Sequence, residues 1–300
     1  MMDLVEEAAS ALAQDPAKAE KLALALTARH PHDPRLKLIR ASALRRQGDA
    51  EAALPILLEL SKAWPRAART RYELGLSLNV LGRPAEGLGE LETAVEIDPQ
   101  FVEAWQALGD LAFANGRSEL EVRAKAALAR LAMADPLLGE VAEAVALGRF
   151  ALAEPILRRH LLAQPNDVEA LRLLAECLCA ERAYEQAETL LRHALTLEPG
   201  LALARFNLAC TLFASQQAEL ALQELAPLEA SDPGNAAYRN LHAGCLALLG
   251  DETGAEALHA ELATRFPSNS RIAVNHGHAL RTKGNRDQAI ASYRRAIAPI

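Results

Sequence analysis

His276 and His278 are the nearest this chain comes to a metal-ligand motif. On a helix, residues two apart point about 200° away from each other, so one ion cannot take both imidazoles. The spacing instead predicts His276 at a core-facing place and His278 on the opposite face. The four cysteines, Cys177, Cys179, Cys210 and Cys245, contain no C-x-x-C pair and are too sparse for a disulfide scaffold. They read as reduced, buried thiols that act as small hydrophobes. The compact signatures of catalysis are missing: no G-x-x-x-x-G-K-[ST] to cradle phosphates, no G-x-G-x-x-G, no G-x-S-x-G elbow and no H-E-x-x-H. The sequence therefore predicts no catalytic residue, no metal site and no cofactor within these 300 residues.

What remains is the chemistry of recognition. One segment carries Leu208 and Leu212 at core spacing and Phe206 and Phe213 on a second face. A helix apolar on two faces must bury the second in a neighbouring element or in a ligand. Asn207, Asn240 and Asn275 fall on comparable faces of successive helices, where each amide offers donors and an acceptor to an extended peptide backbone. His278 and Arg281 follow, and a guanidinium suits a forked hydrogen bond to a carboxylate. The expected peptide-binding groove is Tyr72, Phe206, Asn207, Phe213, Asn240, Asn275, His278 and Arg281. The alternatives are packing of the two phenylalanines within the array and plain solvation of the asparagines.

The elements that position these residues are set by a repeat. Pro31, Pro65 and Pro99 lie 34 residues apart, and so do Pro165, Pro199, Pro233 and Pro267. Gly48, Gly82, Gly148 and Gly250 each precede an anchor proline by 17 residues, and Gly284 follows Pro267 by 17. Two breaks per period mean two helices per repeat. Between the breaks the apolar spacing is helical, as in Leu171, Leu174, Ala175 and Leu178, then Ala187, Leu190, Leu191 and Ala194. Small residues recur where paired helices come close: Gly75 with Ala94, Gly109, Ala175 with Ala187, Ala209 with Ala221, Ala243 with Ala255, and Gly277 with Ala289. Pro55, Pro155 and Pro227 fall inside second helices and are expected at solvent-facing kinks.

Hydrophobic residues make up 51% of the chain and aromatics 4%, which is a folded protein with an aliphatic core. Lys and Arg number 32 against 39 Asp and Glu, a net charge of −7, so no basic excess draws it to nucleic acid or an anionic membrane. The start, Met1 to Glu7, is acidic where a secretory signal is basic, and no stretch approaches the ~18 apolar residues of a membrane span. The expectation is a cytoplasmic chain with neither nucleic acid nor membrane as partner.

Trp105, Leu108 and Gly109 in a first helix, with the closures Glu96-Ile97-Asp98-Pro99, Leu197-Glu198-Pro199 and Ser231-Asp232-Pro233, resemble the tetratricopeptide repeat family. That resemblance covers essentially the whole chain. It implies an all-α, right-handed superhelical solenoid of helical hairpins, about nine repeats with the last incomplete, binding a protein or peptide in its concave groove. The acidic-tail clamp of co-chaperones in this family is not matched, because Leu38, Ser42, Tyr72 and Leu76 occupy the corresponding face.

Two departures divide the array. Gly116 to Pro136 is 20 residues and Pro136 to Gly148 is 12, which predicts a shortened first helix and a joint between sub-arrays 1–136 and 137–300. The next closing proline is due at residue 301, with Pro299 two places early, and the face carrying Ile290, Tyr293 and Ile297 is expected to seek a partner. A longer protein is the expectation. The segment Val274 to Gly284 with Ala289 to Ile297, and Gly234 to Arg239, resembles the N-terminal region of bacterial tetratricopeptide-sulfotransferase fusions. This implies a partner-recruiting scaffold followed by a C-terminal domain of the same polypeptide that transfers sulfate from 3′-phosphoadenylyl sulfate. The alternatives are a free-standing assembly scaffold with no attached enzyme, or a repeat region serving another transferase.

Overall fold

The computed structural model describes residues 4–297; the start at Met1 to Asp3 and the early closure at Pro299 lie outside the described residues. Among the described residues there are eighteen α-helices and no strand. In the first unit they pair as hairpins, α1 (Leu4–Gln14) with α2 (Pro16–Thr27), α3 (Pro34–Arg46) with α4 (Ala50–Ala63), and α5 (Ala68–Val80) with α6 (Pro84–Ile97); α7 (Val102–Ala114) and α8 (Ser118–Leu131) come next in the chain. There follow α9 (Pro136–Ala146) with α10 (Phe150–Ala163), α11 (Val168–Ala180) with α12 (Tyr184–Leu197), and α13 (Ala202–Ala214) with α14 (Ala218–Ser231). The last are α15 (Ala236–Leu248) with α16 (Glu252–Arg265), and α17 (Ser270–Thr282) with α18 (Arg286–Ile297). The chain divides into two compact units, one ending at Ala112 and one beginning at Phe113.

Local chemistry starts and stops these helices. Asp33, Asp49, Asp135, Asp167 and Asp251 accept hydrogen bonds from backbone N–H groups in the first turns of α3, α4, α9, α11 and α16, and Asn235 and Asn269 do so for α15 and α17. Pro16, Pro34, Pro84 and Pro136 occupy first-turn positions, where the missing donor costs nothing. The anchor prolines all fall in the turns between hairpins, and Pro55, Pro155 and Pro227 lie inside helices at exposed positions, as expected.

Asp15 (φ −143°) alone joins α1 to α2, and in the later turns between first and second helices one residue takes a left-handed backbone. Glycine supplies it at six places, including Gly48 and Gly250, while Arg182 (φ 64°) and Gln216 (φ 68°) supply it at the α11–α12 and α13–α14 turns. These two turns carry no glycine signal in the sequence, yet the hairpins close in the same way.

The register around Pro136 differs from the expected one. Pro136 opens α9 behind its cap Asp135 and does not close a repeat as Pro99 does, so its spacings of 20 and 12 compare unlike positions. The true deficit is two residues, since α9 has 11 where the neighbouring first helices have 13. A second correction concerns Gly75. A Cβ there would lie 2.9 Å from the Gly87 carbonyl, and one at Gly87 would lie 2.7 Å from the Gly75 carbonyl, so Gly75 meets Gly87 and not Ala94. That twelve-residue offset also relates Ala175 to Ala187, Ala209 to Ala221 and Ala243 to Ala255, all buried. The core beneath these crossings is almost wholly Leu and Ala, with Leu57, Leu91, Leu157, Leu191, Leu208 and Leu225 fully enclosed.

Candidate functional site

In the second unit the first helices stack side by side, α9 on α11, α11 on α13 and α13 on α15. Of the expected groove residues, Phe206 and Phe213 turn from α13 to the neighbouring first helix α15, whereas His278 turns to Tyr293 of the second helix α18. Phe206 of α13 is half-buried, with its ring 5.1 Å from that of Tyr238 on α15. Phe213, one helix end away, lies on Gly244 of α15, where an added Cβ would come within 3.0 Å of the ring. Packing on α15 therefore accounts for part of the second apolar face of α13. Leu203 on the same helix remains 57% exposed, and Ala237 and Ala247, near the two ends of α15, are exposed and small.

The asparagines are tied into polar pairs. Asn275 Nδ2 donates to Asn240 Oδ1 at 2.9 Å, joining α15 and α17, and Asn207 Nδ2 reaches Glu176 Oε2 at 3.4 Å. Glu176 and Glu169 in turn flank Arg172, which is buried and pairs with them at 3.5 and 2.8 Å. The chain thus joins α11 to α13 and α15 to α17 by side-chain amides, leaving the Asn275 carbonyl and the Asn240 amide nitrogen without a role in that pair.

His278 and Arg281 are exposed on α17, and the His278 Nδ1 lies 3.2 Å from the Tyr293 hydroxyl. His276 faces the other way, into the packing of α16 and α18, with Nδ1 3.2 Å from Ser292 Oγ and Nε2 3.6 Å from Glu256. Tyr293 fills the space over Gly277, while Ile290 and Ile297 stay exposed. Tyr72 belongs to the first unit. Its ring sits 5.1 Å from Phe101 with the Arg69 guanidinium 5.3 Å above it, and burial, reinforced by neighbouring Glu73, pushes its hydroxyl above the usual tyrosine range.

Burial pushes the thiols of Cys177 and Cys210 up to about 12 and that of Cys245 up to about 11, so at neutral pH they are protonated and chemically quiet. Among the described residues no three His, Cys, Asp or Glu side chains are grouped to hold a metal ion. No described helix is long and apolar enough to cross a membrane.

Sequence reasoning missed Tyr238 and Gly244. The available signal was the pairing of a bulky Phe213 with a glycine 31 residues later, at a position where other repeats place a side chain.

Three tetratricopeptide repeat models match the chain, at residues 13–68, 40–100 and 72–136, at 144–195 and 180–245, and at 270–298. The chain belongs to the tetratricopeptide repeat family. No curated protein matches it in sequence. Among solved structures, the Cut9-Hcn1 hetero-tetramer of the APC/C is similar with a TM-score of 0.68 at 16% identity, over 98% of this chain and 58% of that one. A tetratricopeptide repeat protein from Parabacteroides merdae is similar at 14% identity and TM-score 0.46, over 98% of both chains. MamA from AMB-1 covers 51% of this chain and 90% of its own at 20% identity and TM-score 0.42. The tetratricopeptide hairpins seen here form a repeat scaffold suited to binding proteins.

Proposed function

We propose that this tetratricopeptide scaffold works in the cytoplasm and holds an extended, partly apolar and partly anionic peptide along the first helices α11, α13, α15 and α17. The carrying observation is the strip of half-exposed Phe206 and Phe213 and exposed Leu203 on α13, with the small, exposed Ala237 and Ala247 on the neighbouring α15. The aromatic pair supplies burial, the unused amide groups of Asn240 and Asn275 meet the peptide backbone, and Arg281 and His278 meet a carboxylate. Asn207, held by Glu176, acts as a support. Tyr72, with Arg69 above it, is a separate contact in the first unit.

The test selects peptides from a displayed library and measures a selected peptide against the Phe206→Ala, Phe213→Ala variant. Loss of an anchor costs about 2 kcal/mol, or roughly thirtyfold in affinity, with an unchanged melting temperature. Unchanged affinity with an intact fold overturns the reading, and a collapsed melt assigns both rings to the core.

The likeness of Val274 to Gly284 and Ala289 to Ile297 to sulfotransferase fusions supports a finer version, in which the scaffold recruits the acceptor of a sulfotransferase domain on the same polypeptide. Reading the frame beyond Ile300 and titrating its product with 3′-phosphoadenylyl sulfate decide between that and a free-standing scaffold.

A further inference from the structure

The second unit meets itself across a seam. Asn269 Nδ2, at the start of α17, donates to the carbonyl of Phe113 in the last turn of α7 at 2.5 Å, a contact between residues 156 apart. The same amide's Oδ1 accepts from Ile272 N at 3.1 Å. One buried side chain therefore satisfies an orphan N–H at the start of α17 and gives a second donor to the Phe113 carbonyl at the end of α7, which also accepts from Gly116 N at 3.2 Å. Around it the Phe113 ring packs edge-on against Phe266, with centroids 4.9 Å apart. Arg271 lies over Phe113 and reaches the buried Glu121 carboxylate at 3.2 Å. Gly116 sits so close to the α16–α17 turn that an added Cβ would be 3.0 Å from the Ser268 carbonyl.

We propose that Asn269, Arg271, Glu121 and the Phe113–Phe266 pair form a latch through which the second unit passes between a closed ring and an open array. The joint is built from helix ends, a turn, one partly exposed ion pair and the single Phe113 ring set against Phe266 and the small Leu262, Ala263 and Ile272 cluster, whereas the hairpins from α9 to α15 meet along whole helix faces lined with Leu and Ala. Such a joint is the weakest around the ring and opens without disturbing the hairpins, because each hairpin keeps its neighbours. The latch is a property of the chain alone and does not rest on the peptide reading. Where that reading also holds, a closed latch admits a peptide only end-first, and an open one admits an internal segment.

The experiment places spin labels at exposed Ser118 and Thr264, on either side of the seam, with the four native cysteines replaced by alanine. The expected result is a short distance with a second, longer population that grows in high salt, where the Arg271–Glu121 attraction is screened. In Asn269→Asp, Arg271→Glu the helix cap is kept, the donor to Phe113 is lost and two carboxylates face each other. The longer population then dominates, and small-angle scattering shows a larger radius of gyration at unchanged helical circular dichroism. A single short distance in the otherwise native chain at low and high salt overturns the latch, and that measurement decides even where the double variant loses its helical signal. Persistence of the short distance in a folded double variant overturns it equally.

Discussion

The two units use one hairpin in two ways. In the first, charged pairs join nearby helices, Lys37 with Glu59, Arg45 with Glu73 and Arg71 with Glu90, so the polar ties follow chain order. In the second, such local ties are joined by contacts between residues about 150 apart, Glu121 with Arg271 and Phe113 with Phe266. The difference teaches that the repeat sets how each hairpin meets the next and leaves open how a run of them ends. A run held by neighbours depends on each junction, and one closed on itself shares load around the ring.

The largest effect is expected in the first unit. Glu73 is fully buried on α5, with Oε2 2.8 Å from Arg45 Nε and Oε1 without a hydrogen-bond partner. Arg45→Ala leaves that carboxylate unpaired and costs about 3–5 kcal/mol. Hydrogen exchange should accelerate in α3 to α6 and remain unchanged in α11 to α16. Replacing both partners by hydrophobic residues, Arg45→Met with Glu73→Leu, should recover most of the loss. Equal acceleration in both units would erase the comparison.

A smaller effect is expected at the seam and should depend on pH. Burial alone pushes the Glu121 carboxyl up, but the ammonium of Lys125 and the guanidinium of Arg271 outweigh it and hold the carboxyl below its usual range. A folded-state pKa below the unfolded one contributes stability above the unfolded value, which is lost as pH falls through the folded value. Melting of the second unit should therefore drop on acidification by about 2–4 °C more than in Glu121→Gln, for an ion pair of roughly 1 kcal/mol. Parallel pH profiles would remove Glu121 from the closure.

The smallest effect is a gain. Arg182→Gly and Gln216→Gly relieve a left-handed backbone that glycine adopts freely, and each should stabilise the second unit by roughly 0.5–1 kcal/mol in urea titrations. The first unit should not respond, since its turns at Gly48 and Gly82 already use glycine.

Much of this was legible in the sequence, for local reasons. Proline and glycine breaks, aspartates placed to cap and a helical apolar period each act within one or two turns of chain, so the hairpins are readable residue by residue. The spacing at Pro136 misleads because a proline fits both a closing turn and a first helical position and follows an Asp in either case, as at Asp98 and Asp135, so only the helix that starts at Pro136 distinguishes them. The sequence pairs Gly75 with Ala94 because it shows small residues without showing which pair faces, a matter settled by the crossing of α5 and α6.

The sequence by itself determined the repeat and the hairpins, because each follows from the conformational preferences of neighbouring residues. Only the tertiary structure decided that Arg182 and Gln216 take up a glycine's conformation, that Phe213 rests on Gly244, and that Asn269 ties the start of α17 to the end of α7. The physical reason is accumulation. Each hairpin turns by a small angle on its neighbour, and whether several such turns bring distant helix ends together depends on their sum, which no single residue encodes.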